Sequence, residues 1–412
     1  PLEDAEAASL RLDDVALSIC RDAPDDVLRV LREFPEMRAA RDEQGRTLLH
    51  TAAARGASGV AAELLSAGCS WAAKDLHGFT PGDVSFARGH QEVFDLLVAH
   101  ACAVERSRSA PSAEGRDTAA SPSGHEPECG GEAPPAKRRR QSEEHREYLG
   151  QRLRYEAGRL LDEGGRGVMM GWESPLMAKH AEALLPRHGE DVLNIGFGLG
   201  LVDGFLQERR PRSHTIIEAH EDVIAEIRRR GWHEKAGVTV RCGRWQDVVD
   251  TLAAQAFDAI FVDTWRETYT DVCSLFAELP RLLRPGGRFS FFNGFAPHSI
   301  FQHAVFSRMA QEDLSELGLR CDVLPIDVGA LGDDVWQGIR QRYWLFETYY
   351  LPVATLEPSP PAPACDDGSA WRRWPSAPIR TGDAIGPRVC ASPTPDSSVC
   401  GSEEESEAQQ GQ

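Results

Sequence analysis

Residues Val192 to Asp203 read VLNIGFGLGLVD, an apolar strand that runs into glycines at 196, 198 and 200 and then into a helix. Glycine lacks a Cβ, so the backbone at such a turn can come close to a ligand or to another strand. A second apolar run, His214 to Glu218, ends in an acid about 20 residues beyond the turn, where a carboxylate can accept both hydroxyl hydrogens of a ribose. Strand, glycine turn, helix, strand and acid together predict a nucleotide-cofactor pocket on an α/β sheet. A plain strand-to-helix turn uses the same glycines, so the downstream residues decide.

At 412 residues the chain can build two cores. A formal net charge of −19 disfavours nucleic acid and anionic membranes as partners and favours a basic one. The ten cysteines carry no CxxC pair, which predicts free thiols in a reducing compartment and no metal site. No apolar run reaches the ~20 residues that span a bilayer, and no signal peptide opens the chain, so a soluble intracellular protein is expected. Numbering starts at Pro1, and an initiator methionine is expected before it.

Residues 42–56, DEQGRTLLHTAAARG, return as 75–89, DLHGFTPGDVSFARG, at an offset of 33. Period and pattern resemble ankyrin repeats, with Gly45 and Gly78 in the tight turns and Thr47 and Thr80 opening the helices. A degenerate first unit over 9–41 completes a small all-α domain at 1–102. Residues 103–142, rich in Ser, Pro, Gly and charge, are expected to be a disordered linker. Its basic tetrad Lys137 to Arg140 reads as a nuclear import signal or as a solvated charge run. Residues 355–412 are expected to be a disordered acidic tail, with an unexplained Trp371 to Trp374 island.

Residues 143–354 alternate strands and helices. Strands are predicted at 191–196, 214–218, 238–242, 257–263, 288–293, 320–325 and 341–351, with helices near 199–208, 222–230, 270–283 and 299–317. Such alternation means a parallel sheet covered by helices on both faces. The aromatic segment 341–351 has no helix after it and is expected to join the sheet antiparallel. That is the arrangement of a class I methyltransferase (Rossmann-like) sheet, whereas a nicotinamide dehydrogenase keeps its sheet parallel.

Asp263 ends the strand FDAIFVD, and ligands of open α/β sheets bind beyond the carboxyl ends of the strands. Its plainer reading is a helix cap. Arg244 and Trp245 follow the strand at 238–242, where an indole can stack on an adenine or simply pack in the core. Upstream, Val168 to Met177 read VMMGWESPLM. A glutamate among such apolar residues costs several kcal/mol unless a cation pairs with it. Glu173 and Asp263 together suit a guanidinium, whose planar fork of donors matches carboxylates.

These segments, with Gly243 to Asp247 (GRWQD) and Ser290 to Gly294 (SFFNG), resemble the arginine N-methyltransferase 2 family, fungal-type protein arginine δ-N-methyltransferases related to guanidinoacetate methyltransferase. The likeness covers roughly 145–352, and family members also carry ankyrin-type repeats N-terminal to the catalytic domain. Gly171 stands where a charged residue is more usual, and Ser174 where threonine is. The resemblance implies an S-adenosylmethionine site: Tyr148 and Met169 lining it, Phe197, Gly198, Leu199, Gly200, Leu201, Val202 and Asp203 forming the turn, Glu218 on the ribose with Ala219 and His220 beside it, Arg244 and Trp245 flanking the adenine, and Asp263 near the methionine end. Glu173 and Asp263 would hold the guanidinium as catalytic residues.

A guanidinium has no free lone pair for attack. Two carboxylates would localise its charge on the terminal nitrogens, and one would accept the departing proton. The resemblance, not the physics, selects the δ nitrogen. It also makes a ribosomal protein the first candidate substrate and places the protein in cytoplasm and nucleus. The repeats are expected to position a protein substrate, so removing 1–102 should spare cofactor binding. Alternatives are a small-molecule guanidino methyltransferase, a non-catalytic ankyrin scaffold, and a dehydrogenase.

Overall fold

The computed structural model describes residues 15, 17–109 and 143–357. The basic tetrad at 137–140, residues 358–412 and most of the 103–142 segment lie outside them.

Seven strands form one sheet: β4 (Asp191–Ile195), β5 (Ser213–Glu218), β6 (Val238–Cys242), β7 (Phe257–Val262), β8 (Leu283–Phe291), β9 (Leu319–Asp327) and β10 (Thr348–Leu356). They are ordered β6-β5-β4-β7-β8-β10-β9. The β5–β6, β4–β5, β4–β7 and β7–β8 pairs are parallel, and β10 runs antiparallel to both β8 and β9. The order reverses beside β4, so the crevice for a ligand opens beyond the carboxyl ends of β4 and β7. A sheet of this order with one antiparallel strand inserted next to its edge is the class I, Rossmann-like methyltransferase architecture.

Alternation along the central strands builds the layers. Val192, Ile216, Ala259 and Phe261 pack on one face with helices Ser174–Leu184, Leu201–Glu208 and Glu221–Arg229. Leu193, Ile195, Ile217, Ile260 and Val262 pack on the other with helices Trp245–Val248, Tyr269–Phe276 and Leu279–Leu282 and the end of Ile300–Glu316. Side chains two apart share a face, so a strand buried on both sides reads as a continuous apolar run.

Three elements differ from expectation. The helix predicted over 270–283 is two helices, because Pro280 has no N–H to continue the first. The last strand is 348–356 rather than 341–351. Residues 341–346 instead form an aromatic loop in which Trp344 Nε1 donates to the Phe346 carbonyl at 2.8 Å. Finally, β1 (Arg154–Glu156), β2 (Arg159–Leu161) and β3 (Gly167–Met170) make a small antiparallel sheet between helices Glu143–Leu149 and Ser174–Leu184.

At the other end of the chain, helices Leu48–Arg55 and Ser58–Ser66 are followed by Pro81–Ala87 and Gln91–Ser109, the second pair repeating the first at 33 residues. Gly45 and Gly78 adopt φ of 74° and 84°, and Asp42 and Asp75 each accept two turn amides. Thr47 and Thr80 form capping boxes with His50 and Asp83. The last helix runs to Ser109, beyond the boundary expected at 102.

The array is not a separate body. Phe301, Ala304, Val305 and Met309 of helix Ile300–Glu316 join the same apolar cluster as Leu49, Val93, Phe94 and Leu97. Phe301 is fully buried, with Trp71 and Phe94 edge-on at 5.9 and 6.1 Å. Arg106 adds bonds to Glu312 at 2.9 Å and Asp313 at 3.0 Å, and one to Glu316. Removing residues 1–102 therefore strips an apolar helix face of the catalytic domain. Array and catalytic domain should unfold in one transition, and Phe301→Ala should lower stability by about 3–5 kcal/mol, the usual cost of such a cavity. Two separate transitions in denaturant, or an unchanged midpoint for the variant, would contradict a shared core.

Candidate functional site

Two cavities meet over the carboxyl ends of β4 and β7. The narrower is lined by Tyr148, Met169, Gly196, Phe197, Gly198, Glu218, Ala219, Arg244, Trp245 and Asp263, among others. The wider, about 520 Å³, is lined by Glu173, Asp263, Trp265, Phe292, Phe295, Tyr343 and Trp344 together with polar rim residues. Val168, Asp263, Thr264, Trp265 and Glu267 line both. The shared wall is where two bound molecules would touch.

The glycine turn governs the first cavity. A Cβ on Gly196 would lie 1.9 Å from the Asp263 carbonyl, so the two strand ends approach only because residue 196 has none. Gly198 presses on the Met169 thioether, and Gly200, at φ 70°, leads the helix Leu201–Glu208. Glu218 sits at the end of β5 and accepts the amides of Phe197, Ala219 and His220 at 2.8, 2.8 and 2.7 Å. Burial raises its pKa and these amides oppose the rise.

Tyr148, Met169, Phe197, Gly198, Glu218, Ala219, Arg244, Trp245 and Asp263 are thus brought around one cleft. Others stand behind it. Val202 packs in the core, and Asp203 is fully buried, accepting from Asn194 at 2.8 Å and lying 3.2 Å from His214. Leu199 donates its amide to the Met169 sulfur, Gly200 and Leu201 belong to the helix entry, and His220 caps helix Glu221–Arg229. A helix turns one face to the core and the others away from it, so a run of seven residues through a turn into a helix cannot all face one ligand. Trp245 is anchored edgewise, its Nε1 donating to Glu267 at 2.8 Å.

The donor set fits S-adenosylmethionine. A carboxylate waits at the ribose position, a side-chain-free turn lies beside it, and Asp263 Oδ2 is buried with no hydrogen-bond partner. The cleft is narrow, about 50 Å³, with Met169 and Tyr148 among its walls.

In the wider cavity Glu173 is 2% exposed. Pro175 starts the helix Ser174–Leu184, and the preceding turn Gly171–Glu173 folds the carboxylate back onto the Met170 amide at 3.0 Å. Tyr343 donates its hydroxyl to the same Glu173 oxygen and receives Trp172 Nε1 at 3.2 Å. Sequence reasoning missed Tyr343, because its aromatic surroundings read as a strand. It also missed Thr264 and Glu267, which bond each other at 2.6 Å. The rule that singled out Asp263 extends to these residues, since they follow the same strand end.

Electrostatics separates the rim from the floor. Arg166, Arg266 and Arg342 line the cavity, yet each pairs with an acid: Asp162 at 2.7 Å, Glu144 at 3.1 Å and Asp333. Among the described residues neither Glu173 nor Asp263 has a cationic partner within ion-pair distance. Glu173 is raised well above the carboxylate range by burial and then by the Asp263 charge. Asp263 is raised by burial and then by the charges of Asp203 and Glu218. Two such groups are poised for a cation, which would lower both pKa values on binding. Around them stand the rings of Trp265, Phe291, Phe292, Phe295, Tyr343 and Trp344, suited to a flat cation's faces.

Residues 151–312 match the family model for guanidinoacetate N-methyltransferase. A "Protein arginine N-methyltransferase 2" of Aspergillus fumigatus is 36% identical over 320 residues, 70% of this chain and 75% of that one. A protein of the same name from Cryptococcus neoformans is 33% identical over 349 residues, 76% and 87% of the two chains. The chain belongs to the protein arginine N-methyltransferase 2 family. A family member from Aspergillus oryzae is 45% identical over 209 residues, and there the match spans only about half the length of either protein. Among solved structures, the O-methyltransferase TomG from Streptomyces achromogenes in complex with SAM is 18% identical over 45% of this chain and 80% of its own, with a TM-score of 0.33. That likeness is too slight to bear on the site, and the sheet order stands on its own.

Tyr343 lowers the Glu173 pKa by donating to it. Tyr343→Phe should therefore move the acidic limb of guanidinium binding to higher pH, since Glu173 must lose its proton to hold the cation. A limb that stays put or moves to lower pH across a pH series of binding measurements would show that the hydroxyl does not tune Glu173.

Proposed function

We propose that this chain is an S-adenosylmethionine-dependent protein arginine methyltransferase that modifies the δ (N5) nitrogen of an arginine residue. The observation that carries the reading is a pair of carboxylates without a cation of their own, buried Glu173 and half-buried Asp263 with its Oδ2 enclosed, where a nucleoside-type cleft meets an aromatic cavity. When bound, S-adenosylmethionine supplies an electrophilic methyl group. The protein does the rest. Glu173, its Oε1 held by Tyr343 and Met170, grips the terminal guanidinium nitrogens and draws the positive charge away from the nitrogen that attacks. Asp263, with Oδ2 unengaged, accepts the proton that leaves that nitrogen. Aromatic walls exclude water and hold the guanidinium plane, so alignment supplies much of the acceleration.

The δ position rests on family resemblance. The 33-residue helix pairs, with their matched turns and caps, support an ankyrin-type array ahead of the catalytic domain. The net charge of −19 favours a basic partner such as a ribosomal protein over nucleic acid or an anionic membrane. No described helix is long and apolar enough to cross a membrane. The domain scheme is an array at 1–102, extended by its last helix, then a linker, a catalytic domain at 143–354 and an acidic tail. The tetrad Lys137 to Arg140 supports residence in both cytoplasm and nucleus, and loss of nuclear signal on its replacement by alanines in a fluorescent fusion would test that. A second reading, methylation of free guanidinoacetate, is favoured by the family model that matches residues 151–312.

Labelled S-adenosylmethionine with candidate proteins, followed by fragmentation of the methylarginine, decides between these readings. Label on protein at the δ nitrogen is expected. Label only on guanidinoacetate would establish the second reading, and methyl on a terminal nitrogen would remove the δ assignment. Glu173→Gln should reduce kcat/KM by about a hundredfold or more while leaving cofactor affinity near wild type, given the scale of acid–base and charge contributions. Glu218→Ala should weaken cofactor binding by about 1–3 kcal/mol, the cost of unpaired ribose hydroxyls.

A further inference from the structure

The two helix pairs of the array are built to one pattern, and they part from it where the second meets the catalytic domain. Leu49 and His50 of the first unit correspond, 33 residues on, to Gly82 and Asp83. His50 is buried and turns its Nε2 to the Phe79 carbonyl at 3.0 Å, the next unit of the array. No described unit follows the second one, and its two altered residues face helix Ile300–Glu316 instead. A Cβ on Gly82 would lie 2.0 Å from the Phe301 ring, so the ring can seat there only because the repeat's leucine is absent. Asp83 Oδ2 closes its own capping box with Thr80, at 3.0 and 2.7 Å. Its Oδ1 accepts the Ser299 hydroxyl at 3.0 Å and the Phe301 amide at 3.2 Å. One carboxylate therefore caps two helices, one in each part of the chain.

The residues just ahead of that helix are a wall of the wider cavity. Phe292, Gly294, Phe295, Pro297 and His298 all line it. The wall is tied to its surroundings on both flanks: the Phe292 amide donates to the Val262 carbonyl at 2.9 Å, and the Asn293 side chain donates to Ser307 and to the Tyr350 carbonyl at 2.9 and 3.0 Å. Asn293 donates its amide to the Tyr349 hydroxyl at 2.7 Å, the Phe295 carbonyl meets His303 Nδ1 at 2.6 Å, and the Pro297 carbonyl accepts the Leu345 amide at 3.3 Å. Ala296, between these points, sits at φ 45°, a left-handed conformation that a non-glycine residue keeps only when its flanks are fixed. On the C-terminal flank Ser299 donates its amide to the Ala296 carbonyl at 3.1 Å and Phe301 is buried, and Asp83 ties both Ser299 and Phe301 to the array.

We infer that Asp83 is a positioning residue for the arginine pocket: the last unit of the array sets the pocket wall 292–298 from outside the catalytic domain. The array then acts on a substrate too short to touch it. This rests on the arginine reading only for the identity of the substrate; the mechanical claim concerns the wall itself.

The test uses the full chain with Asp83→Ala, a short arginine-containing peptide that the wild type methylates, and amide hydrogen exchange. Faster exchange confined to 292–301 is expected, with KM for the peptide raised about tenfold, the scale of a lost buried hydrogen bond. The Kd for S-adenosylmethionine should stay within about twofold, because none of residues 292–298 lines that cleft. Unchanged exchange over 292–301 would overturn the inference, as would a fall in cofactor affinity parallel to the rise in KM, which marks general loosening. Should Asp83→Ala fail to fold, Ser299→Ala removes one of the two catalytic-domain partners, together with the Ser299 cap on the Gln302 amide, and leaves the array's capping box intact; unchanged exchange over 292–301 in that variant likewise overturns the inference. Wild-type turnover reports on the proposed activity, whereas the exchange difference between variant and wild type reports on Asp83 alone.

Discussion

Carboxylate oxygens withdrawn from water without a cation, on buried Glu173 and half-buried Asp263, are an expensive arrangement, and the rest of this structure is organised around sustaining it. Isolated buried charges cost several kcal/mol each, so such groups either take up protons or find a partner. Here Glu173 and Asp263 are both raised in pKa, and every arginine on the cavity rim is already engaged by another acid. A site of this kind stores affinity for a cation that comes from outside. Because the guanidinium is flat and carries a fork of donors, a slot with aromatic walls and acids on its floor selects it over a rounded ammonium.

The carboxylates reach this position by two routes. Asp263 arrives on a central strand whose end can touch that of β4 only because residue 196 is glycine. Glu173 arrives from outside the main sheet, on the turn after β3, and is tied there by Tyr343 from the loop before β10. Beneath the pocket, His180 bridges Ser290 and Tyr349 at 2.7 and 2.9 Å, its pKa pushed down to about 3 by burial, so it joins strands and helix as a neutral ring. The site is thus spread over the turn after β3, the ends of β4 and β7 and the loop before β10, and its accuracy depends on elements distant in sequence.

What was legible beforehand follows from that distribution. Strand periodicity, the glycine turn and the acid after β5 are local signals, and the sheet and the cleft around Glu218 could be read from them. Glu173 was legible because a glutamate in the run VMMGWESPLM contradicts its neighbours. Tyr343 was not, since its tie to Glu173 spans 170 residues and its own stretch has the aromatic content of a strand. Val202 and Asp203 showed the limit of motif transfer: a helix that follows a turn points half of its residues inward, and Asp203 faces Asn194 and His214. That so short an array leans on its neighbour follows from the repeat number, but the contact that joins them was hidden for a similar reason. Gly82 and Asp83 look like drift from a repeat until Phe301 is placed against them.

Calorimetry of an arginine-containing peptide binding to the protein saturated with S-adenosylhomocysteine, in buffers of different ionisation enthalpy near neutral pH, counts the protons exchanged on binding. If Glu173 and Asp263 hold the guanidinium, their raised pKa values fall when the cation arrives, and net proton release to the buffer is predicted. Binding heats that do not vary with the buffer, or that report proton uptake, would contradict the two-carboxylate site.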